Sequence, residues 1–147
     1  MHLVMVVEDE YGNAEVVQLL LETAGYRVLS ASNGKAALDL LDDEKPALIL
    51  SDFMMPTMNG GELGEAVRRN PALAQIPFII MSGTNEEVVR QTFSDYDAFL
   101  VKPVEADGLL LLIARHIESG RTPPPTSEQV GDSMRQLLKG LHLPPEG

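Results

Sequence analysis

Four short apolar runs, each followed by polar residues, constrain the fold of this chain more than any other feature. The runs are Leu3–Val7, Ala47–Ser51, Phe78–Met81 and Ala98–Val101. Continuous apolar runs of this length are typical of strands that are covered on both faces. The polar residues that follow them are Glu8 with Asp9, Asp52, Ser82 and Lys102. If the strands are parallel, their carboxyl ends share one edge of one sheet, and all five side chains converge there.

The segments between these runs have apolar residues at helical spacing, so strands and helices alternate along the chain. A more polar strand at 27–31 is expected at a sheet edge, and Val88, Val89 and Phe93 are expected to face inward from the fourth helix. The predicted strands are 3–7, 27–31, 47–51, 77–81 and 98–101, and the predicted helices are 10–24, 35–43, 61–69, 85–94 and 104–118. Five such units predict an α/β fold, a doubly wound parallel sheet of five strands with helices on both faces.

The composition excludes several classes of function. The chain has 147 residues and a formal net charge of −11, from 22 acidic and 11 basic residues. That balance argues against direct binding to nucleic acid or to an anionic membrane surface. The absence of cysteine excludes disulfides, zinc–thiolate sites and thiol catalysis. No stretch reaches the ~20 apolar residues that a membrane span needs, and the amino terminus lacks a signal-peptide pattern, so a cytoplasmic location is expected.

A change of composition after Ser119 divides the chain into a domain at 1–119 and an extension at 120–147. The extension has a Pro-rich linker and then a short amphipathic C-terminal helix, with an apolar stripe of Val130, Met134, Leu137, Leu138 and Leu141. In the domain, Leu109–Ile113 places apolar side chains on every side of the last helix. This indicates an interface: a homodimer through helix 104–118 or the C-terminal helix, or a docking place for the stripe. Scattered surface leucines are the alternative.

The charges at the predicted sheet edge indicate a metal site. Three crowded carboxylates repel one another unless a cation lies among them. Mg²⁺ prefers oxygen ligands, and an aspartate beside it can attack phosphorus to form an aspartyl phosphate. The Lys102 ammonium would then hold a phosphoryl oxygen, and the Ser82 hydroxyl would suit another. Taken singly, the acids could instead cap a helix or a turn, Lys102 could be a solvated surface group, and Ser82 could be a turn residue.

Five short motifs at the strand ends carry a resemblance to a known family. They are Val6–Glu10, Leu50–Pro56, Asn59–Gly60, Met81–Gly83 and Phe99–Pro103. Asp9 precedes Asp52 by 43 residues, Asp52 precedes Ser82 by 30, and Ser82 precedes Lys102 by 20. Over residues 3–118, the chain resembles the receiver domain of the bacterial two-component response regulators. The resemblance implies a flavodoxin-like fold with strand order 2-1-3-4-5 and a site at the switch point between the first and third strands.

The resemblance also implies a role for each acid. Asp52 is the phosphoacceptor by this comparison. Asp9 and the backbone carbonyl of Met54 bind Mg²⁺ together with Asp52, and Glu8 acts mainly through a water molecule. Glu8 departs from the aspartate that is commoner at its position, and its extra methylene could reach the metal directly or reshape the water shell.

A switch and its partners are implied in the same way. Lys102 holds the phosphoryl group, Ser82 moves towards it, and Phe99 changes rotamer, which alters the surface of the fourth helix, fifth strand and fifth helix. The donor is a histidine kinase or a histidine phosphotransfer protein, and a downstream effector protein reads the altered surface. The chain is then a signalling phosphoacceptor rather than an enzyme. Because Met54 cannot orient water through a strong hydrogen bond, its autodephosphorylation is expected to be slow.

Three alternatives compete with this hypothesis. A receiver-like scaffold would bind partners without phosphorylation, although the complete acidic cluster disfavours it. A phosphatase of the haloacid-dehalogenase type would need a second aspartate at the position of Met54. A flavodoxin would need a first loop that cradles phosphate, which Glu8 and Asp9 would repel.

Overall fold

Five strands alternate with five helices in the part of the chain that the computed structural model describes, residues 2–121. The elements are β1 (Leu3–Val7), α1 (Tyr11–Thr23), β2 (Arg27–Ala31), α2 (Gly34–Leu41), β3 (Leu48–Asp52), α3 (Gly60–Arg69), β4 (Phe78–Ser82), α4 (Glu86–Thr92), β5 (Ala98–Val101) and α5 (Ala106–Ser119). Every predicted element of the domain is present, with boundaries that differ from the prediction by no more than two residues. The predicted α/β class is therefore confirmed.

The strands form one parallel sheet in the order β2-β1-β3-β4-β5, as the resemblance implied. The more polar strand, β2, lies at an edge as expected. The register aligns the carboxyl ends of neighbouring strands, so the residues that follow them emerge at one edge of the sheet. The pairs that show this alignment are Val7 with Ser51, Asp52 with Met81, and Ser82 with Val101.

Two apolar layers cover the sheet, one on each face. The central strands β3 and β4 are buried along their whole length, and β1 is buried after its first residue. Helices α2, α3 and α4 supply one layer, in which Leu63 and Phe93 are buried. Helices α1 and α5 supply the other, which includes Leu21 and Ile113. Because burying one such side chain stabilises a fold by about 1.5–3 kcal/mol, both layers stabilise the sheet behind its edge.

Asparagine side chains mark the beginning of three helices. Asn33, Asn59 and Asn85 each accept a backbone N–H from the first turn of α2, α3 and α4, at 2.8 Å in every case. At α3, the Glu62 carboxylate in turn accepts a hydrogen bond from the backbone amide of Asn59 at 3.1 Å. Such a cap stabilises the folded protein by about 1 kcal/mol. The caps fix where these helices start, and therefore the length of the loops beside the sheet edge.

The inward face of α4 differs from the sequence prediction. Val89 and Phe93 are buried as predicted, but Val88 is 48% exposed, so the prediction was wrong for Val88. Successive residues of a helix are turned by about 100° from each other, and a side chain next to Val89 therefore points away from the core.

The last helix has a buried side and an exposed side. Leu109 and Ile113 are buried in the core, whereas Leu111 is 71% exposed. The apolar run therefore serves the core in part, and the predicted interface on this helix stays a prediction. The predicted linker and amphipathic helix lie outside the described residues, apart from Gly120 and Arg121, so the domain boundary at 119 also stays a prediction.

No helix within residues 2–121 is both long enough and apolar enough to cross a membrane. The predicted cytoplasmic location stays a prediction.

Gly64 and Gly108 form a matched pair for testing the packing of α3 against α4. A methyl group at Gly64 would collide with the Phe93 ring, whereas one at Gly108 would meet nothing within 4 Å. We expect Gly64→Ala to lower the free energy of unfolding by about 1–3 kcal/mol through overpacking. We expect Gly108→Ala to raise it by about 0.5–1 kcal/mol, because alanine loses less conformational freedom in a helix. Urea denaturation measures both, and equal stability of the two variants would contradict this packing.

Candidate functional site

Backbone hydrogen bonds extend the sheet by one residue beyond β1, β3 and β5. The chain therefore stays in register past each strand end, which fixes Glu8, Asp52 and Lys102 relative to one another. The bonds run from Glu8 N to Ala31 O at 3.0 Å, from Phe53 N to Met81 O at 2.9 Å, and from Lys102 N to Ser82 O at 2.9 Å.

Three carboxylates meet at this edge, as the sequence predicted. One oxygen each from Glu8, Asp9 and Asp52 lies within 4.8 Å of the others. Glu8 is only 4% exposed and Asp52 only 5%, whereas Asp9 is exposed to solvent. Two of the three charges are thus removed from water, where carboxylates are costly unless a cation compensates them.

Lys102 compensates the two buried acids directly. Its Nζ lies 3.0 Å from Asp52 Oδ1 and 3.2 Å from Glu8 Oε2. The sequence placed Lys102 near the acids, and the structure adds that a single ammonium bridges two of them. This bridge also orients the lysine, whose side chain is 28% exposed, towards Asp52 rather than towards solvent.

Burial has the largest effect on the protonation of these groups. It raises the pKa of Asp52 above its usual value, and Lys102 lowers that pKa only in part. Burial and the charge of Asp52 raise the pKa of Glu8, again against Lys102. Burial lowers the pKa of Lys102, but its bond to Asp52 and the charges of both acids raise it overall. Since the folded protein keeps carboxyl protons to higher pH than the unfolded chain, the two acids contribute stability at low pH that is lost as pH rises through their raised pKa values.

Helix capping does not account for the acids that follow β1. The N-cap of α1 is Glu10, whose side chain makes no capping bond. Glu8 Oε1 accepts the Glu10 amide at 3.3 Å, while its other oxygen binds Lys102. The capping alternative therefore leaves the position of Asp9, next to Asp52, without an explanation.

The donor set fits a hard divalent cation such as Mg²⁺. Octahedral ligands at about 2.1 Å from Mg²⁺ lie about 3 Å from their neighbours and about 4 Å from the ligand opposite. The three carboxylate oxygens lie within 4.8 Å of one another, close enough for one ion to bind all three after a small adjustment. Within residues 2–121, Glu8, Asp9 and Asp52 form the one group of three or more such residues that could hold a metal ion. The role predicted for the Met54 backbone carbonyl stays a prediction.

Gly60 shapes the loop that follows β3. A Cβ at this position would collide with the backbone carbonyl of Asp52, and the Gly60 amide donates to Phe53 O at 2.8 Å. Only glycine permits such a close approach of two backbone segments. The tight loop explains the Asn59–Gly60 motif and leaves the side chain of Met54, two residues after Asp52, 62% exposed.

Ser82 ends β4 at the same edge and is fully buried. Its neighbour Met81 is the register partner of Asp52, so the serine lies on the strand adjacent to the acid. The Ser82 hydroxyl accepts the Thr84 amide at 2.9 Å. A displacement of this hydroxyl would therefore act on the loop that leads into α4.

Aromatic rings connect Phe99 on β5 with the core layer under α4. The ring centroids of Phe99 and Tyr96 are 6.0 Å apart, and those of Tyr96 and Phe93 are 6.2 Å apart. The Tyr96 hydroxyl donates to the carboxylate of Glu86, the first residue of α4. Phe99 was predicted from its motif at the end of the fifth strand, whereas Tyr96 was not, because its one sequence signal was an aromatic residue in a polar loop.

Comparison with known proteins agrees with this fold. The chain matches the family described as response regulator receiver domain over residues 4–114. Two-component response regulator ORR11 of Oryza sativa subsp. indica is 34% identical over 115 residues, which cover 76% of this chain and 78% of that protein.

Two solved structures show the same fold. The signal receiver domain of a signal transduction histidine kinase from Syntrophus aciditrophicus is 31% identical with a TM-score of 0.76, covering 86% of this chain and 98% of that one. The receiver domain of sensor histidine kinase PA1611 from Pseudomonas aeruginosa, with a magnesium ion coordinated in its active-site cleft, is 23% identical with a TM-score of 0.74. That comparison covers 80% of this chain and 98% of the PA1611 chain.

Asp9→Asn tests whether the acid cluster binds Mg²⁺. A ligand present at 100 times its Kd stabilises the folded state by about 2.7 kcal/mol, so saturating Mg²⁺ is expected to raise the Tm of the wild-type protein. Asp9 is exposed, and its amide variant is expected to fold and to lose most of this increase. Glu10→Gln, which changes the neighbouring exposed acid outside the cluster, is the matched control and is expected to keep it. Melting curves with and without Mg²⁺ provide the measurement, and an unchanged response of Asp9→Asn would contradict the site.

Proposed function

Because the chain belongs to the response regulator receiver domain family of two-component systems, we propose that Asp52 accepts a phosphoryl group from a phosphohistidine. The donor is a histidine kinase or a histidine phosphotransfer protein. The observation that carries the proposal is the position of Lys102 Nζ, 3.0 Å from Asp52 Oδ1 inside a cluster of three acids. A carboxylate nucleophile, a positioned cation and a metal-binding acid cluster are the parts that phosphoryl transfer to aspartate needs.

Asp52 supplies the nucleophile in this reaction. One carboxylate oxygen forms a bond to phosphorus as the bond from phosphorus to the donor imidazole nitrogen breaks, and the nitrogen keeps the electron pair. Lys102 is already within hydrogen-bonding distance of Asp52. Its ammonium is therefore close enough to neutralise negative charge on the phosphoryl group that Asp52 receives. Its second bond, to Glu8, holds the ammonium in place before the donor arrives.

Mg²⁺ bound at the acid cluster would offset the charge of the phosphoryl oxygens. We assign Asp9, Asp52 and the Met54 backbone carbonyl as its ligands, as the family resemblance implies. The grouped oxygens of the acids and the magnesium ion in the PA1611 receiver domain support the assignment. Glu8 Oε2 is already bonded to Lys102 at 3.2 Å, which favours an indirect role for Glu8 through water.

Phosphorylation would act on the rest of the domain through Ser82 and Phe99. The Ser82 hydroxyl is bonded to the Thr84 amide, so drawing it towards the phosphoryl group pulls the loop before α4. Phe99 then changes rotamer, and the population shifts between two arrangements of the α4-β5-α5 surface. A downstream effector protein reads this surface, which exposes Val88, Val101 and Leu111.

The alternative, a scaffold that binds partners without phosphorylation, has less support. It requires neither the bridge from Lys102 to Asp52 nor the burial of two acids, an arrangement that is costly in free energy. A phosphatase of the haloacid-dehalogenase type is disfavoured because exposed Met54 cannot act as the second acid. Binding of beryllofluoride, a phosphoryl analogue, only when Mg²⁺ is present distinguishes a receiver from a scaffold.

Acetyl phosphate with Mg²⁺ tests the phosphoacceptor directly. We expect one phosphoryl adduct on the wild-type chain and none on Asp52→Asn, because the amide cannot act as the nucleophile. Asp39→Asn, which changes an exposed acid of α2, is the matched control and is expected to become modified like the wild type. The adduct is detected in each of the three proteins from the mass of the intact chain. An unmodified wild-type chain, or a modified Asp52→Asn chain, would refute the assignment.

The phosphoryl group is expected to be long-lived, on the order of tens of minutes or more, because the side chain of Met54 cannot orient the attacking water. Met54→Gln places an amide at this exposed position, and we expect it to shorten the lifetime by about threefold or more by holding a water molecule. Met54→Leu removes the sulfur without adding a hydrogen-bonding group, and its lifetime is expected to match the wild type. After acetyl phosphate is removed, the fraction of chain that still carries the adduct is followed over time by intact-mass measurement. A wild-type lifetime of seconds would contradict the prediction.

A further inference from the structure

The loop Asp95–Asp97, between α4 and β5, contacts both Phe99 and Arg121, the second residue after α5. Its middle residue, Tyr96, packs between Phe99 and Phe93 and donates its hydroxyl to Glu86 of α4. The side chains of the two flanking residues, Asp95 and Asp97, do not join this aromatic contact and lie at the end of the sheet opposite Asp52. One three-residue loop therefore contacts α4, β5 and Arg121, which lies two residues past the end of α5.

The aspartates hold two buried arginines. Arg68 Nη2 lies 2.9 Å from Asp97 Oδ2, and Arg68 Nε donates to the Asp95 carbonyl at 3.0 Å. Arg121 Nη2 donates to Asp95 Oδ1, and Arg121 Nε lies 3.4 Å from Asp97 Oδ1. The side chains of Arg68 and Arg121 are only 9% and 6% exposed. We call these four residues the basal ion cluster.

Arg68 is the fixed member of the basal ion cluster. It also donates to the backbone carbonyls of Ala74 and Ile76, at 3.2 and 2.8 Å, while Asp97 accepts the Phe78 amide at 2.7 Å. These bonds tie Arg68 and Asp97 to the connection before β4 and to the first residue of that strand. With so many partners, Arg68 is expected to keep its bonds through a small shift of Asp95 or Asp97.

Arg121 is held less completely. Its Nε is buried without a hydrogen bond among the described residues, and it shares its two aspartates with a second guanidinium of like charge. It follows α5 directly after Gly120, whose φ of 65° turns the chain towards Asp95. A small displacement of Asp95 or Asp97 would therefore weaken the contacts of Arg121 before those of Arg68.

We propose that Asp95–Asp97 is a relay: a change at Phe99 moves Tyr96, the flanking aspartates follow, and their hold on Arg121 changes. The proposal rests on the proposed function, because phosphorylation of Asp52 is what moves Phe99. The relay makes Gly120 and Arg121, directly after α5, a second place that responds to phosphorylation, at the end of the sheet opposite Asp52. Arg121 acts in it as a positioning residue.

Coupling of this kind is reciprocal. If beryllofluoride at Asp52 changes the hold on Arg121, then loss of Arg121 changes the affinity for beryllofluoride. The relay consists of packed rings and ion pairs in direct contact, so interruption at Tyr96 and loss of Arg121 are separable in an experiment.

A spin label beside Arg121 tests the relay. The chain has no cysteine, so Ser119→Cys, at an exposed position, gives a single attachment point for a nitroxide on the full chain. We expect Mg²⁺ with beryllofluoride to change the mobility of the nitroxide in this protein. Added Arg121→Gln is expected to make the label insensitive to beryllofluoride. Arg69→Gln, which removes an arginine of α3 that is 81% exposed, is the matched control and is expected to respond like the wild type.

Two further measurements separate the relay from a structural role. Binding of beryllofluoride, followed by fluorine NMR, is expected to differ at least threefold in affinity between Arg121→Gln and Arg69→Gln. Tyr96→Leu is expected to bind beryllofluoride and yet to leave the label unresponsive, although both aspartates and both arginines are intact. Arg121→Lys, which keeps the charge but not the two-pronged geometry, replaces Arg121→Gln if that variant melts early.

The outcomes distinguish the relay from the function on which it rests. Failure of the wild-type protein to bind beryllofluoride would overturn both proposals. Binding with an unchanged label would overturn the relay alone, as would equal affinities in the two arginine variants. A label that responds in Tyr96→Leu as in the wild type would overturn the route through Tyr96 and with it the proposal.

Discussion

The bridge from Lys102 to Asp52 and Glu8 is the interaction on which the site depends. It places one ammonium between two carboxylates whose pKa values burial raises. Removing the ammonium would leave two buried acids uncompensated, which is strongly destabilising in known ion pairs. The bridge also requires an exact register of β1, β3 and β5, because a slip of one residue turns a side chain to the other face of the sheet. The chemistry at the edge and the pairing of the strands therefore constrain each other.

The two ends of the sheet differ in their balance of charge. At the carboxyl end, three carboxylates face one ammonium, and the cluster is compensated only when a further cation is present. At the amino end of β4 and β5, the two arginines of the basal ion cluster match two aspartates, with backbone carbonyls as additional acceptors. The first arrangement is suited to binding a further cation, whereas the second is balanced in charge without one. The same types of side chain serve different purposes because their numbers differ.

The strand ends were predictable from the sequence, whereas contacts between loops were not. Burial on both faces gives β1, β3 and β4 a continuous apolar composition, which located each strand within one residue. Parallel order then placed the acids and Lys102 together. By contrast, the contact of Arg68 with Asp97 joins residues 29 positions apart, and no local pattern encodes it. The orientation of Val88 was missed because α4, with seven residues, is too short for periodicity to define one face.

β5 connects the two charged clusters and is the strand best suited to move between them. It has four residues, about 13 Å of extended chain, with Asp97 immediately before it and Lys102 immediately after. It lies at an edge and pairs only with β4, so a shift disturbs one ladder of hydrogen bonds where a central strand would disturb two. Its side chains are partly buried or exposed, unlike those of β3 and β4. β5 is therefore a short strand with few restraints that has Lys102 at one end and Asp97 at the other, and Phe99, from which the proposed relay starts, lies between them.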